Sequence, residues 1–239
     1  MNSLIFCGDI HGEMKDLVYK LEKYKIENAN VIILGDIGVG FGKPQGLEVL
    51  YKSIEKKLEK YNITLYGIRG NHDDPSYFDG LTWYPRLKLL KDHTIIELNG
   101  YNIYPIGGAV SVDIDLKTPT MKRSRREEND YLIHKGSHRR CWWPDEVVKK
   151  LEVSGINVDI VISHTAPLSF SPPLKRFGDY IREETWEEMY GERKYLDDVL
   201  QKIRPKYWYY GHFHNSYTGT VENTLYKGLS IMELYDKLY

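Results

Sequence analysis

Short apolar runs and helix-period stretches alternate along the first part of the chain. Residues 3–7 (Ser-Leu-Ile-Phe-Cys) form an apolar run that stops at Gly8, and residues 12–24 carry Met14, Leu17, Val18, Leu21 and Tyr24 at helical spacing. Residues 30–34 read as a second buried strand. Residues 45–60 place Leu47, Leu50, Tyr51, Ile54 and Leu58 on one face and lysines on the other, the pattern of an amphipathic helix. Residues 62–68 supply a third strand. This β-α-β-α-β order predicts a parallel sheet with right-handed crossovers.

The pattern then changes. Residues 87–90 and 94–98 read as strands, Asn99-Gly100 is a strong hairpin signal, and residues 101–106 are the return strand, so antiparallel material is expected between two α/β halves. Residues 111–141 are polar and without clear periodicity. Pro144 opens a predicted helix to about Val153. Residues 158–162 read as a strand, 165–191 mostly as loop with a short helix near 185–190, 192–203 as a helix and 206–210 as a strand. Two short strands around an Asn223 turn follow, then a run over 229–234.

Chemistry gathers where the strands run out. Asp9-Ile10-His11, Gly35-Asp36, Gly70-Asn71-His72-Asp73, Ser163-His164 and Gly211-His212-Phe213-His214 each follow an apolar run. In open α/β sheets ligands bind at the carboxyl ends of strands. Asp9, Asp36, Asn71 and the five His among them, converging there, suggest two transition-metal ions. His212 and His214 alternate along a segment read as extended, which would turn both to one face.

These motifs, in this order, resemble the calcineurin-like metallophosphoesterase superfamily. Gly8-Asp9-Ile10-His11-Gly12 and Arg69-Gly70-Asn71-His72 look most like its phosphoprotein-phosphatase and diadenosine-tetraphosphatase branch, and the Gly-His-x-His ending like the broader phosphodiesterase branch. Gly107-Gly108-Ala109-Val110-Ser111-Val112-Asp113 and Trp142-Trp143-Pro144-Asp145-Glu146 are similar to small bacterial and phage members. The resemblance implies an α/β fold of two packed mixed sheets flanked by helices, a four-layer α/β/β/α sandwich. It implies one metal on Asp9, His11, Asp36 and His214, and a second on Asp36, Asn71, His164 and His212. A bridging hydroxide would attack the phosphorus, with His72 as general acid. Imidazole-rich ligation favours manganese, iron, zinc or nickel over calcium and magnesium, and manganese is the expected ion.

The chain departs from the phosphatase pattern after the second motif. Gly35-Asp36-Ile37-Gly38-Val39-Gly40 lacks the Asp expected three residues after Gly-Asp, and the Arg that follows it, so His72 is left without its usual partner. Asp73 is adjacent but need not point the same way. Arg69 and Asn71 stand where substrate would be met, although Arg69 is equally readable as a structural arginine at a strand end.

Composition narrows the alternatives. The 239 residues fit a single domain, 1–239, with 111–141 as an insertion and candidate lid, and the 41% hydrophobic content is enough for a substantial core. A net charge of −1 leaves no global field for nucleic acid or anionic membrane, so a nuclease or nucleotide phosphodiesterase is the alternative and not the first reading. A non-enzymatic metal-binding scaffold is disfavoured because every ligand type and His72 are present. The basic residues of 117–140, Lys117, Lys122, Arg123, Arg125, Arg126, Lys135, Arg139 and Arg140, outnumber Glu127, Glu128 and Asp130. They read either as a solvated loop or as a cationic lid over a phosphate-ester substrate. Trp142-Trp143 reads as a packing anchor. His93, His134 and His138 fit no motif. Two cysteines, Cys7 and Cys141, match neither a zinc finger nor a disulfide framework. Without a visible signal peptide or membrane-length apolar run, a cytoplasmic protein with no obligate protein partner is expected.

Overall fold

The structure, a computed structural model, describes residues 2–40, 46–81, 83–111, 114–115, 123–135, 142–172 and 181–236. The first five elements are strand β1 (Ser3–Cys7), helix α1 (Met14–Lys23), β2 (Ala29–Ile33), α2 (Gly46–Lys60) and β3 (Ile63–Gly67). They are followed by β4 (Trp83–Tyr84), β5 (Leu87–Leu89), β6 (Ile96–Leu98), β7 (Tyr101–Ile106) and helix α3 (Arg125–His134). The chain continues through β8 (Ile160–Ser163), α4 (Glu183–Ile203), β9 (Tyr207–Tyr210), β10 (Tyr217–Val221), β11 (Thr224–Gly228) and β12 (Leu234–Asp236). Two six-stranded mixed sheets result, in the orders β12-β1-β2-β3-β5-β4 and β10-β11-β9-β8-β7-β6. β1, β2 and β3 are parallel neighbours, as are β7, β8 and β9.

Side-chain alternation along the strands builds the layers. In β1, Ile5 and Cys7 face α1 and α2, packing with Met14, Leu17, Leu21, Ile54 and Leu58. Leu4 and Phe6 face the second sheet. In β8 and β9, Ile160, Ile162 and Tyr209 meet them from the other side, while Val161, Trp208 and Tyr210 turn outward to Leu196, Val199, Leu200 and Ile203 of α4. Phe6 stacks on Tyr209 at 3.9 Å between centroids, joining the two sheets. The α/β/β/α layering expected from the resemblance is therefore present. Burying each such aliphatic or aromatic side chain is worth roughly 1.5–3 kcal/mol, and the motif-bearing strands are buried on both faces except β3, whose Thr64 and Tyr66 face is half-buried.

The Asn99-Gly100 hairpin forms as expected: Leu98 pairs with Tyr101, and both turn residues have positive φ, 53° and 78°. Elsewhere the structure differs from the sequence expectation. Leu87–Leu89 does not join the hairpin but pairs parallel with β3. The polar stretch 111–141 contains α3, opened by a capping box in which Ser124 Oγ accepts from Glu127 N and Glu127 returns the bond to Ser124 N. Helix α4 runs unbroken through Gly191, because a single helical glycine costs only about 1 kcal/mol and buried contacts on both sides outweigh it. Residues 144–153 form no helix. Their backbone groups are taken by distant partners instead: Arg69 on the carbonyls of Asp145, Glu146 and Val147, Glu192 on Val148 N, and Tyr195 on Leu151 N and O. The run over 229–234 is a turn followed by β12, which pairs antiparallel with β1.

Of the basic insertion, Lys117, Lys122, Arg139 and Arg140 lie outside the described residues, as do Cys141 and His138. Arg123 pairs with Glu128, and Arg126 pairs with Asp115 and lies over the Trp142 ring at 4.8 Å. Trp143 is buried and Trp142 is half-buried. No helix among the described residues is long and apolar enough to cross a membrane.

Candidate metal centre

Parallel strands bring their carboxyl ends to one edge, and five of these ends meet here. Tight turns then aim the side chains. His11, Asp36, His212 and His214 all have left-handed backbone, with φ of 44°, 49°, 65° and 53°. Such conformations are costly for non-glycine residues and cluster at functional sites. Gly35, at φ 99°, lies flat against the His164 ring, where an added Cβ would come within 2.2 Å of Nδ1. His212 and His214 do not lie along an extended segment, and their rings do not serve one point. The left-handed turn separates them, sending His212 toward Asn71 and His214 toward Asp9 and His11. Arg193 steadies this turn, donating to the carbonyls of Ala166 and Pro167 and lying over the Phe213 ring.

One donor set is open to solvent. Asp9, His11, Asp36 and His214 each offer a ligand atom, all within 4.8 Å of one another. His11 Nε2 is 3.0 Å from His214 Nε2, and His214 Nε2 is 3.2 Å from Asp9 Oδ2. The His11 and His214 side chains remain 32% and 29% exposed.

The other set is more deeply buried, with Asp36, Asn71 and His164 inside and His212 half-buried at its edge. Asn71 Oδ1 lies 3.0 Å from His164 Nε2 and 3.1 Å from His212 Nδ1, and His164 Nε2 is 3.3 Å from Asp36 Oδ1. His164 is fully buried. Its Nδ1 is 2.7 Å from the Leu34 carbonyl oxygen, which can only accept, so Nδ1 carries the proton and Nε2 faces the oxygens. Asn71 Nδ2 donates to Ser111 Oγ at 2.9 Å.

Electrostatics mark the cluster as a trap for positive charge. Burial acts to lower the His164 pKa, but Asp36 and Asp9 outweigh it and push it up to about 10. Burial opposes the charge on Asp36, yet His164 and His72 hold it well below the usual carboxylate range. His212 is driven well below the usual imidazole value by burial and by His164. Two carboxylates, an amide oxygen and four imidazoles around one shared Asp36 are the donor chemistry of a divalent transition-metal pair.

The remaining sequence candidates sort by geometry. His72 is part-exposed, with Nε2 4.0 Å from Asp36 Oδ2, and its backbone N–H donates to Asp36 Oδ1. Asp73 is not its partner: the carboxylate is fully buried and accepts from the N–H groups of Ile37, Gly38, Val39 and Gly70. Burial and the nearby Asp36 push Asp73 up to about 6 against those hydrogen bonds. Arg69, expected as a possible substrate contact, is fully buried and does not face the cleft. Its Nε donates to Asp92 and its terminal nitrogens to the carbonyls of residues 145–147, so the structural alternative holds. Sequence reasoning overlooked Ser111, Glu146 and Glu192. The first two lie in stretches it had singled out, whereas Glu192 carries no local signal because its partners are 44 or more residues away.

The family model for calcineurin-like phosphoesterases matches residues 3–216. The chain is 23% identical to a lariat debranching enzyme of Schizosaccharomyces pombe (strain 972 / ATCC 24843), over 90% of this chain and 49% of that one. It thus spans about half the length of that curated relative. Among solved structures, the phosphopantetheinyl hydrolase of Mycobacterium tuberculosis is 12% identical with a TM-score of 0.47, covering 99% of this chain and 96% of its own.

Proposed function

The chain belongs to the calcineurin-like phosphoesterase family of phosphoester hydrolases, and from that premise we propose that it cleaves a phosphomonoester or small phosphodiester in a cleft holding two divalent ions. The observation that carries this is the convergence of Asp9, His11, Asp36 and His214 within 4.8 Å, beside a second set that shares Asp36. Asp9, His11, Asp36 and His214 hold the outer ion. Asp36, Asn71, His164 and His212 hold the inner one. Ions there would neutralise the phosphate and make water acidic enough to attack near neutral pH. His72, at the open side of Asp36, protonates the leaving oxygen. Manganese is the first ion to test, with iron, zinc and nickel as alternatives.

The test is hydrolysis of p-nitrophenyl phosphate and bis-p-nitrophenyl phosphate by metal-stripped protein with Mn2+ restored. Metal-dependent turnover is expected, and its absence with ions bound would overturn the proposal. Preference between the two esters separates monoesterase from diesterase. For an alkyl ester, His72→Ala should lower kcat by about 10²–10⁴-fold. The loss should be smaller for p-nitrophenyl esters, whose leaving group departs without a proton. Equal losses on both would remove His72 as the acid. The relative's name makes a lariat the first natural substrate to try, with steep salt dependence expected if a phosphate backbone is gripped.

A further inference from the structure

We propose that Ser111 is a positioning residue for the inner ion, fixing which end of the Asn71 amide faces it; this rests on the two-ion reading above. A primary amide can sit in two orientations related by a half-turn, and only one offers oxygen to a metal. Asn71 Nδ2 donates to Ser111 Oγ at 2.9 Å, and that bond turns Oδ1 toward His164 and His212. Both side chains are buried, so no solvent can substitute for the hydroxyl as acceptor.

Ser111 is itself held with unusual completeness. Every backbone N–H from Gly107 to Ser111 has a defined acceptor: Asp92 Oδ1, Arg69 O, Glu146 O, Glu192 Oε1 and Glu146 Oε1 in turn. The Glu146 side chain also accepts from Trp143 N, and Arg69 grips the Glu146 carbonyl. At Gly108, φ 92°, an added Cβ would lie 2.4 Å from the Glu146 carbonyl oxygen and 2.6 Å from the Arg69 guanidinium. The glycine is what lets this strand exit approach the 145–147 backbone. The Gly107-to-Ser111 stretch and the Trp142-to-Glu146 stretch therefore form one brace, locked by buried carboxylates, whose outlet toward the metal cleft is the Ser111 hydroxyl. Partners behind a ligand that set its orientation typically change metal affinity by about 10–100-fold when removed.

The experiment is calorimetric titration of metal-stripped protein with Mn2+, together with its metal-free melting temperature. Wild type should bind two ions. Ser111→Ala should weaken one site by roughly 10–100-fold, leaving the other site and the metal-free melting temperature near wild type. Equal affinity at both sites in wild type and Ser111→Ala would overturn the proposal. Should Ser111→Ala also lower the metal-free melting temperature, the Asn71→Asp background decides. A carboxylate has two equivalent oxygens and no orientation to lose. There Ser111→Ala should weaken the inner site far less than in wild type, and an undiminished loss would show a structural role and sink the proposal. A wild type that binds fewer than two ions would instead defeat the two-ion reading, and the proposal for Ser111 with it.

Discussion

On one side of Asp36 two histidines reach solvent, and on the other the donors His164 and Asn71 are buried. His11 and His214 reach the outer position from left-handed turns and keep about a third of their side chains in solvent. His164 and Asn71 reach the inner position with almost none exposed, and each has its second polar atom committed to the protein: Nδ1 to the Leu34 carbonyl, Nδ2 to Ser111. Left-handed turns aim His11 and His214, whereas Asn71 is aimed through Ser111, which the buried Glu146, Glu192 and Arg69 brace from behind. On the two-ion reading, the outer ion should exchange readily and the inner one slowly. An open position suits entry of substrate, and a rigid one suits holding charge in place.

Replacing the residue that both sets share should have the largest effect. Asp36→Asn is expected to remove Mn2+-dependent turnover to background and to weaken both sites together in calorimetry. A variant that lost only one ion would show that the sets are independent. Next in size is the contrast between the two sides. His164→Ala should lower the stability of metal-free protein by about 3 kcal/mol, from the cavity and the orphaned Leu34 carbonyl. His11→Ala should stay within about 0.5 kcal/mol. Equal urea midpoints for the two variants would erase the distinction between a built and an open site.

The smallest effect is a slope. Burial pushes the Glu192 carboxyl, which accepts from Val110 N and Val148 N behind the inner set, up to about 7 from its usual 4.5. A raised folded-state pKa means that the folded protein holds the proton more tightly. Its contribution to stability is therefore complete below about pH 4.5 and is lost as pH rises through 7. Over that window Glu192→Gln should flatten the fall in stability by up to about 1.4 kcal/mol per pH unit. Denaturation curves at pH 5, 6 and 7 would check it, and unchanged slopes would mean that Glu192 stays ionised throughout.

Much of this architecture was legible before the fold was known. The short apolar runs marked β1, β2, β3, β8 and β9, and the polar residues at their ends marked the site, because strand burial and strand termination are local properties of the chain. Asn99-Gly100 marked its hairpin for the same reason. Helix α3 announced itself only through Ser124 and Glu127, a capping signal without an apolar stripe behind it. Residues 144–153 had a helix opener in Pro144, yet their backbone groups found Arg69, Glu192 and Tyr195 and no helix formed.

The ligand types, their order and the strand ends that carry them were thus determined by the sequence itself, since they depend on residues a few positions apart. Tertiary structure decided the rest: that His212 and His214 sit on a left-handed turn and not on an extended segment, that Asp73 binds backbone and not His72, that Arg69 is buried on Asp92 and the 145–147 carbonyls, and that Ser111 stands behind Asn71. Each depends on groups tens to hundreds of residues apart, as with Asn71 and Ser111 or Asp9 and His212. Such pairs meet only when two sheets pack face to face and every buried polar atom must find its partner there.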